Sequence, residues 1–150
     1  MRMWWDIIQE RFVRYMTLLL WGGVIYYCIE LMYRGHSHPS MFITGGVCFL
    51  LVGGVINNYL PWRWPLWLQC AIGGVVITAV ELIVGLIVNV WLGLGVWDYS
   101  HMRFNVLGQI VPQYTFAWMG LSLVAIWLDN YLRWKIWGER KPNYRIWRFL

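Results

Sequence analysis

The stretch "LWLQCAIGGVVITAVELIVGLIVNVWLGL", residues 66–94, decides the fold of this chain. It contains one charged side chain, Glu81, and shows none of the apolar–polar alternation that marks a strand of a membrane barrel. About 20 mostly apolar residues are enough for a helix to cross the hydrocarbon core of a bilayer. The stretch therefore predicts a membrane-spanning helix.

The composition of the whole chain indicates the same class of protein. Hydrophobic residues make up 60% of the chain and charged residues only 13%, whereas soluble domains average about 25% charged residues. The chain also has 13 Trp and 9 Tyr, and these side chains concentrate at membrane–water boundaries. We predict a single integral membrane domain over residues 1–150.

Long apolar segments separated by polar or proline-containing breaks predict an all-α bundle of four transmembrane helices. The predicted spans are residues 13–33, 41–60, 66–94 and 106–132. The third segment is about 43 Å long at about 1.5 Å per residue, against a hydrocarbon core of about 30 Å. We therefore expect it to tilt, project or break near Gly93 or Gly95.

The distribution of Lys and Arg predicts the orientation of the bundle. Ten of the 12 basic residues fall at the two termini and in the 61–65 turn, and only Arg34 and Arg103 fall on the other side. The positive-inside rule then places both termini in the cytoplasm, with the protein in the cell membrane. The N-terminal segment and the basic, aromatic tail 133–150 are expected to anchor at the membrane surface, the tail on anionic lipid headgroups and not on nucleic acid.

We single out two carboxylates inside the spans, Glu30 and Glu81. A charge at the centre of a membrane helix costs about 2.5–3.5 kcal/mol, so both should face the interior of the bundle, with Asn89 or Gln113 as an expected partner of Glu81. A stripe of small and polar residues with helical spacing supports this orientation. Its members are Gly74, Thr78, Glu81, Gly85, Asn89 and Gly93.

Polar residues also crowd the window "GVWDYSHMRFNVLGQ", residues 95–109. Their depth, counted along the helices, predicts an outward-facing polar cavity between the first, third and fourth helices. Trp97 and Tyr99 are expected to act as interfacial anchors, whereas Asp98 could simply cap a turn and Gln109 could simply bond across helices. The candidate cavity or substrate-binding residues are Glu30, Glu81, Asn89, Trp97, Asp98, Tyr99, Ser100, Asn105, Gln109 and Gln113.

Metal and cofactor chemistry is not expected. His36 and His38 alternate in one loop and His101 lies in another with Asp98, but this spacing is a weak indication of zinc. The sequence has no phosphate-binding loop, no His-Glu-x-x-His motif and no Gly-x-Ser-x-Gly motif, so no catalytic residue is assigned.

The segment "ELIVGLIVNVWLGLGVWDYSHMRFNVLGQI", residues 81–110, resembles the bacterial membrane family described as "Putative ABC-transporter type IV". The Trp-Asp-Tyr-Ser turn is also similar to that of related four-helix proteins in animals, and Glu30 resembles the acidic residue of the family's first span. The resemblance is strong over about 30 residues and looser elsewhere, and Gln113 after Pro112 departs from the pattern. The matching positions are Glu81, Asn89, Leu92, Gly93, Trp97, Asp98, Tyr99, Ser100, Asn105, Leu107, Gly108 and Gln109.

The resemblance implies a transporter or permease component. Because four short helices make a thin bundle and stripes of small residues favour close helix contacts, we expect it to act as a homo-oligomer or with a partner membrane protein. Transport driven by ATP would require a separate ATPase subunit, because this chain has no ATP-binding motif. Two alternatives remain open: a membrane enzyme acting on a lipid or isoprenoid-like substrate, with Glu30, Glu81 and Asp98 as acid–base candidates, and a non-catalytic assembly partner.

Overall fold

Four helices form the described part of the chain. The computed structural model describes residues 4–60 and 64–144, and in those residues it contains no strand. The helices are α1 (Trp4–Arg34), α2 (Pro39–Tyr59), α3 (Leu66–Trp91) and α4 (Pro112–Lys135). The prediction of an all-α fold is confirmed.

Three of these helices, α1, α2 and α3, are long and apolar enough to cross a membrane. The fourth, α4, has 24 residues, which is about 36 Å at about 1.5 Å per residue. It is less apolar, since its last two turns contain Asp129, Arg133 and Lys135. Length and composition therefore support three spans, and a fourth span along α4 remains a prediction.

Helix α1 begins at Trp4, so the segment predicted as an N-terminal surface anchor is helical and continuous with the predicted span 13–33. Helix α4 begins at Pro112 and not at residue 106, because Leu107 and Gly108 have φ angles of 54° and 68°, which a right-handed helix cannot contain. Proline suits the first turn of a helix, where its missing N–H would have no partner.

Of the three outcomes expected for the long third segment, the structure shows a break near its end. Helix α3 ends at Trp91, and the two glycines after it have positive φ angles, 64° at Gly93 and 57° at Gly95. Glycine reaches this region without a steric penalty. The chain therefore leaves the helix before residue 94 and enters the turn that carries the Trp-Asp-Tyr-Ser motif.

The helices pack as two antiparallel pairs, α1 on α2 and α3 on α4, and the second half of α2 also contacts α4. Glycines let the first pair approach closely: a Cβ added at Gly22 would lie 2.6 Å from Cγ of Phe49 and 2.8 Å from the carbonyl oxygen of Gly45. The centre of the bundle is filled by apolar side chains. They include Leu18, Phe49, Val52, Ile77, Ala125 and Ile126.

Two helices contain wide, π-helical turns, at Leu50–Ile56 in α2 and at Leu86–Trp91 in α3. Such turns are rare and often accompany functional positions, because the extra residue rotates the side chains that follow. The first precedes Asn57 and Asn58, and the second contains Asn89. All three of these side chains take part in the polar networks described below.

The antiparallel order gives the bundle two ends. At the Glu81 end, α1 and α3 finish and α2 and α4 begin; at the Asp129 end, the reverse holds. After α4 the chain folds back, with the Glu139 N–H donating to the carbonyl oxygen of Arg133 at 3.0 Å. Residues 145–150 of the predicted tail anchor, and Arg63 of the 61–65 turn, lie outside the described residues.

Candidate functional site

Glu81, on α3, is a buried carboxylate held by neutral hydrogen-bond donors. Glu81 is only 3% exposed. The indole Nε1 of Trp118 donates to Oε2 at 2.7 Å, and the hydroxyl of Tyr99 donates to Oε1 at 3.3 Å. The expectation that Asn89 or Gln113 would be its partner is therefore wrong. Glu81 instead links α3 to α4 and to the Trp-Asp-Tyr-Ser turn.

Beside this carboxylate lies a cavity of about 250 Å³, here called the aromatic pocket. Rings form much of its wall: the centroids of Tyr99 and Tyr114 are 4.9 Å apart, and those of Tyr114 and Trp118 are 6.2 Å apart. Glu81 lies behind Tyr99 and Trp118 and does not itself line the cavity. The pocket is thus mostly apolar, where the sequence had suggested a polar cavity. Its lining residues are Tyr26, Ile29, Glu30, Tyr33, Arg34, Tyr99, Tyr114, Ala117 and Trp118.

Glu30, on α1, lies at the edge of the aromatic pocket with its charge compensated. It forms an ion pair with Arg34 one turn later, and the Ser37 hydroxyl donates to its second oxygen. Arg34 also donates to the carbonyl oxygen of Val96 at 3.0 Å. Glu30 therefore ties α1 to the loop before α2 and, through Arg34, to the turn after α3.

Three candidate residues attach the turn to α3 instead of lining the pocket. Asn89 donates through Nδ2 to Oε1 of Gln109 at 2.8 Å and accepts the Val96 N–H at 2.7 Å. The indole of Trp97 donates to the carbonyl oxygen of Gln109 at 3.0 Å. Trp97 is only 4% exposed, so the expectation that it is an interfacial anchor is wrong. Tyr99 is half-buried against Glu81.

The remaining polar residues of the motif build the turn itself. Asp98 accepts hydrogen bonds from the backbone N–H and the hydroxyl of Ser100, and these bonds lower the pKa of Asp98 below its ordinary value. Asn105 donates to the carbonyl oxygen of Met102 at 2.8 Å and accepts from the Gly108 N–H at 3.0 Å. This is the local bonding that Asp, Ser and Asn offer in turns.

Gly108 completes the turn, because its φ angle is 68° and a Cβ there would lie 2.9 Å from the Asp98 carboxylate. Gln113, in contrast, is exposed on the first turn of α4, outside this network. The ten candidate residues thus divide into three groups. Glu30 and Tyr99 line the pocket and Glu81 lies behind its wall; Asn89, Trp97, Asp98, Ser100, Asn105 and Gln109 shape the turn; Gln113 joins neither.

A third buried carboxylate besides Glu30 and Glu81, that of Asp129, escaped the sequence analysis. It is fully buried in α4 and accepts from Arg14 of α1, at 2.8 Å from Nε and 3.1 Å from Nη2. Asn57 of α2 donates to it at 2.8 Å and to Oδ1 of Asn130 at 2.9 Å. A count of charges within the predicted span 106–132 would have found Asp129, by the same argument that singled out Glu81.

The buried acids Asp129 and Glu81 are held by different kinds of hydrogen-bond donor. Asp129 faces a guanidinium and an amide, whereas the bonds to Glu81 come from a phenol and an indole. In residues 4–60 and 64–144, no three His, Cys, Asp or Glu side chains gather in a way that could hold a metal ion. The Glu81 end therefore offers, beside an aromatic cavity, one acid paired with an arginine, Glu30, and one acid held by neutral donors, Glu81.

Comparison with known proteins gives a match at the level of the family. The family model described as "Putative ABC-transporter type IV" matches residues 15–145. No curated protein matches the chain, and no solved structure matches it. The match extends far beyond the 30 residues that carry the resemblance and includes α2, α3, α4 and the part of α1 from residue 15 onwards. The chain belongs to the family described as "Putative ABC-transporter type IV".

Proposed function

We propose that this protein is the membrane component of a transport system and that it binds its solute in the aromatic pocket. The family and the three apolar helices support a transport-related membrane protein. The observation that carries the binding proposal is Glu81, whose hydrogen bonds come from neutral donors in the wall of a cavity of about 250 Å³. An acid buried beside a cavity is an expensive feature, and such groups concentrate at functional sites.

The chemistry of the pocket favours an organic cation as the solute. Glu30 is compensated by Arg34, so the uncompensated negative charge nearest the pocket belongs to Glu81 when that group is ionised. The faces of Tyr and Trp rings attract cations, by about 0.5–2 kcal/mol for each well-placed contact. An apolar body would pack against Ile29 and Ala117, which also line the pocket.

Passage across the membrane would require the bundle to rearrange. Leu18, Phe49 and Ile126 fill the centre between the two ends and are at most 1% exposed. In this arrangement the pocket serves as a binding site at one end of the bundle. A separate ATPase subunit at the cytoplasmic side would supply the energy if transport is driven by ATP.

The proposed arrangement has four spans, with the Glu81 end outside and both termini inside the cell. A Ser37→Cys variant should react with an impermeant thiol reagent on intact cells, whereas an Asn143→Cys variant should react only after permeabilisation. Both should be made in a background without Cys28, Cys48 and Cys70. Equal labelling of the two variants on intact cells would contradict this orientation.

Binding can be tested with benzyltrimethylammonium, an aromatic organic cation, and with benzenesulfonate as an anion of comparable size. Purified protein in nanodiscs should bind the cation at least tenfold more tightly than the anion. Glu81→Gln should abolish this preference. Asp6→Asn is the control: it removes an acid that lies in the first turn of α1, far from the pocket, and it should leave the preference unchanged. Equal affinity for the two ions, or an unchanged preference in Glu81→Gln, would contradict the proposal.

The catalytic alternative has less support in the geometry. Its three acid–base candidates, Glu30, Glu81 and Asp98, lie in separate hydrogen-bond networks, with Arg34, Trp118 and Ser100 as their respective partners. Paired carboxylates that share a substrate would need to face one cavity together. For the assembly-partner alternative, the described residues offer no contact that favours it over solute binding.

A further inference from the structure

A second cavity, of about 410 Å³, lies at the Asp129 end and plays no part in solute binding at the aromatic pocket. It opens between the first turns of α1, the end of α2, the end of α4 and the segment that follows α4. We call it the arginine cavity, because five polar or charged residues in its wall determine its chemistry. They are Arg11, Arg14, Asn58, Arg133 and Glu139.

Two guanidinium groups converge on one neutral oxygen in this cavity. Nη2 of Arg14 and Nη1 of Arg133 donate to Oδ1 of Asn58 at 2.9 and 2.8 Å. The amide of Asn58 is fixed in this orientation because its Nδ2 donates to the carbonyl oxygen of Gly54. The oxygen thus holds two like charges side by side, in an arrangement that an anionic oxygen would stabilise more strongly.

The rest of Arg133 already binds an anion of the chain itself. Its Nε and Nη2 both lie 2.6 Å from Oε2 of Glu139. Guanidinium groups bind carboxylates and phosphates with the same donors, so this contact shows that the donors are oriented for an anion. Glu139 is the displaceable member: its side chain is 41% exposed, and it follows Gly138, whose φ is 66°.

The charges around the cavity identify the anion that would replace Glu139. Arg14 is bound to the fully buried Asp129, which cannot leave without exposing an unpaired charge. Among the described residues, withdrawal of Glu139 leaves Arg11, Arg14 and Arg133 with the carboxylates of Asp129 and Glu10, which is one positive charge in excess. A phosphodiester carries one negative charge and restores the balance.

We propose that the arginine cavity binds the phosphate group of an anionic phospholipid in place of Glu139. Under the proposed orientation, the cavity lies at the level of the cytoplasmic headgroups, with Trp137 and Tyr59 in its wall as side chains suited to that layer. Glu139 acts as an internal competitor that holds the site closed when no such lipid is present.

The test measures how much phosphatidylglycerol, relative to phosphatidylcholine, the detergent-purified protein retains in native mass spectrometry. Glu139→Gln should raise the retention of phosphatidylglycerol several-fold, because the competitor for Arg133 is lost. Arg133→Gln should lower it about tenfold. Arg103→Gln removes the same charge from an exposed position at the Glu81 end of the bundle, away from both the cavity and the tail, and should have little effect.

Inorganic phosphate provides the second arm, because a free phosphate could use the same donors. Displacement of the lipid by millimolar phosphate would assign the site to phosphate in general, and no displacement would assign it to the lipid; both outcomes support recognition of the phosphate group. An unchanged or lower retention in Glu139→Gln would overturn the proposal. So would an equal loss in Arg103→Gln and Arg133→Gln, since that result indicates surface charge alone. If Arg133→Gln does not fold, Glu139→Gln still decides the question, because this variant is expected to retain more phosphatidylglycerol and not less.

Discussion

The two ends of the bundle bury an acid in opposite ways. At the Asp129 end, the carboxylate is enclosed by Arg14 and Asn57, and its charge is compensated where it lies. At the Glu81 end, a phenol and an indole donate to the carboxylate, and they compensate no charge. Breaking a buried ion pair is costly, whereas a buried acid without a cation is free to respond to a ligand. The difference suggests that the first acid holds the bundle together and the second serves a function.

The largest expected effect is at the Asp129 end. Asp129→Ala should lower the free energy of unfolding by about 3–5 kcal/mol, because it removes a fully buried carboxylate and leaves the partly buried Arg14 guanidinium without it. The measurement is the unfolding equilibrium in mixed micelles, with Asp6→Asn as the charge-matched control. The double variant Asp129→Leu with Arg14→Met should recover part of the loss, since replacing both members of a pair leaves neither unpaired. A loss below about 1 kcal/mol in the single variant would mean that the two ends are alike.

A smaller effect is expected at the Glu81 end. Glu81→Gln should lower the free energy of unfolding by less than about 1 kcal/mol, because its amide oxygen can still accept from Trp118 or Tyr99. Glu81→Leu should cost about 1–3 kcal/mol, since it leaves both donors without an acceptor. The same unfolding measurement applies to both variants. A Glu81→Gln variant as unstable as Asp129→Ala would contradict a functional role for this acid.

The smallest expected effect concerns the turn above the aromatic pocket. Ser100→Ala removes the hydroxyl that lowers the pKa of Asp98, so that pKa should rise towards its ordinary value. When the pKa of an acid is lower in the folded state than in the unfolded state, its ionised form stabilises the protein at pH values above the unfolded-state pKa. This stabilisation is lost as the pH falls through the folded-state pKa. The stability of the Ser100→Ala variant should therefore depend less on pH in the acid range. Carboxyl chemical shifts recorded during an NMR titration of isotope-labelled protein would measure the change.

Much of the fold could be predicted from the sequence because each helix declares itself locally. The apolar run 66–94 has the length and composition of a span, and the glycines at 93 and 95 mark where it ends. The start of α4 was harder to predict: residues 106–111 are apolar enough to continue a helix, but Leu107 has a φ of 54° that only the surrounding turn imposes. The hydrophobicity of a segment depends on its side chains, and it does not predict a positive φ angle in the backbone.

The candidate site could be predicted as a group of residues but not as an arrangement. Helical spacing correctly directs Thr78 and Glu81 towards α4, where they meet Thr115 and Trp118. The same reasoning missed that Trp97 is buried, because its partner, the carbonyl oxygen of Gln109, is reached only when the turn closes. It also missed the aromatic lining, which α1 and α4 supply from opposite ends of the sequence.

The sequence by itself determined that this is a helical membrane protein, which apolar segments form its long helices, and which family it resembles, since these depend on composition, spacing and a local motif. Only the tertiary structure decided which charges are compensated. Arg14 and Asp129 are separated by 115 positions in the sequence and form one ion pair. Glu81 meets Tyr99 and Trp118 instead of an arginine. The physical reason is that the free energy of a buried charge depends on the groups within a few ångströms of it, and packing brings those groups together from distant parts of the chain.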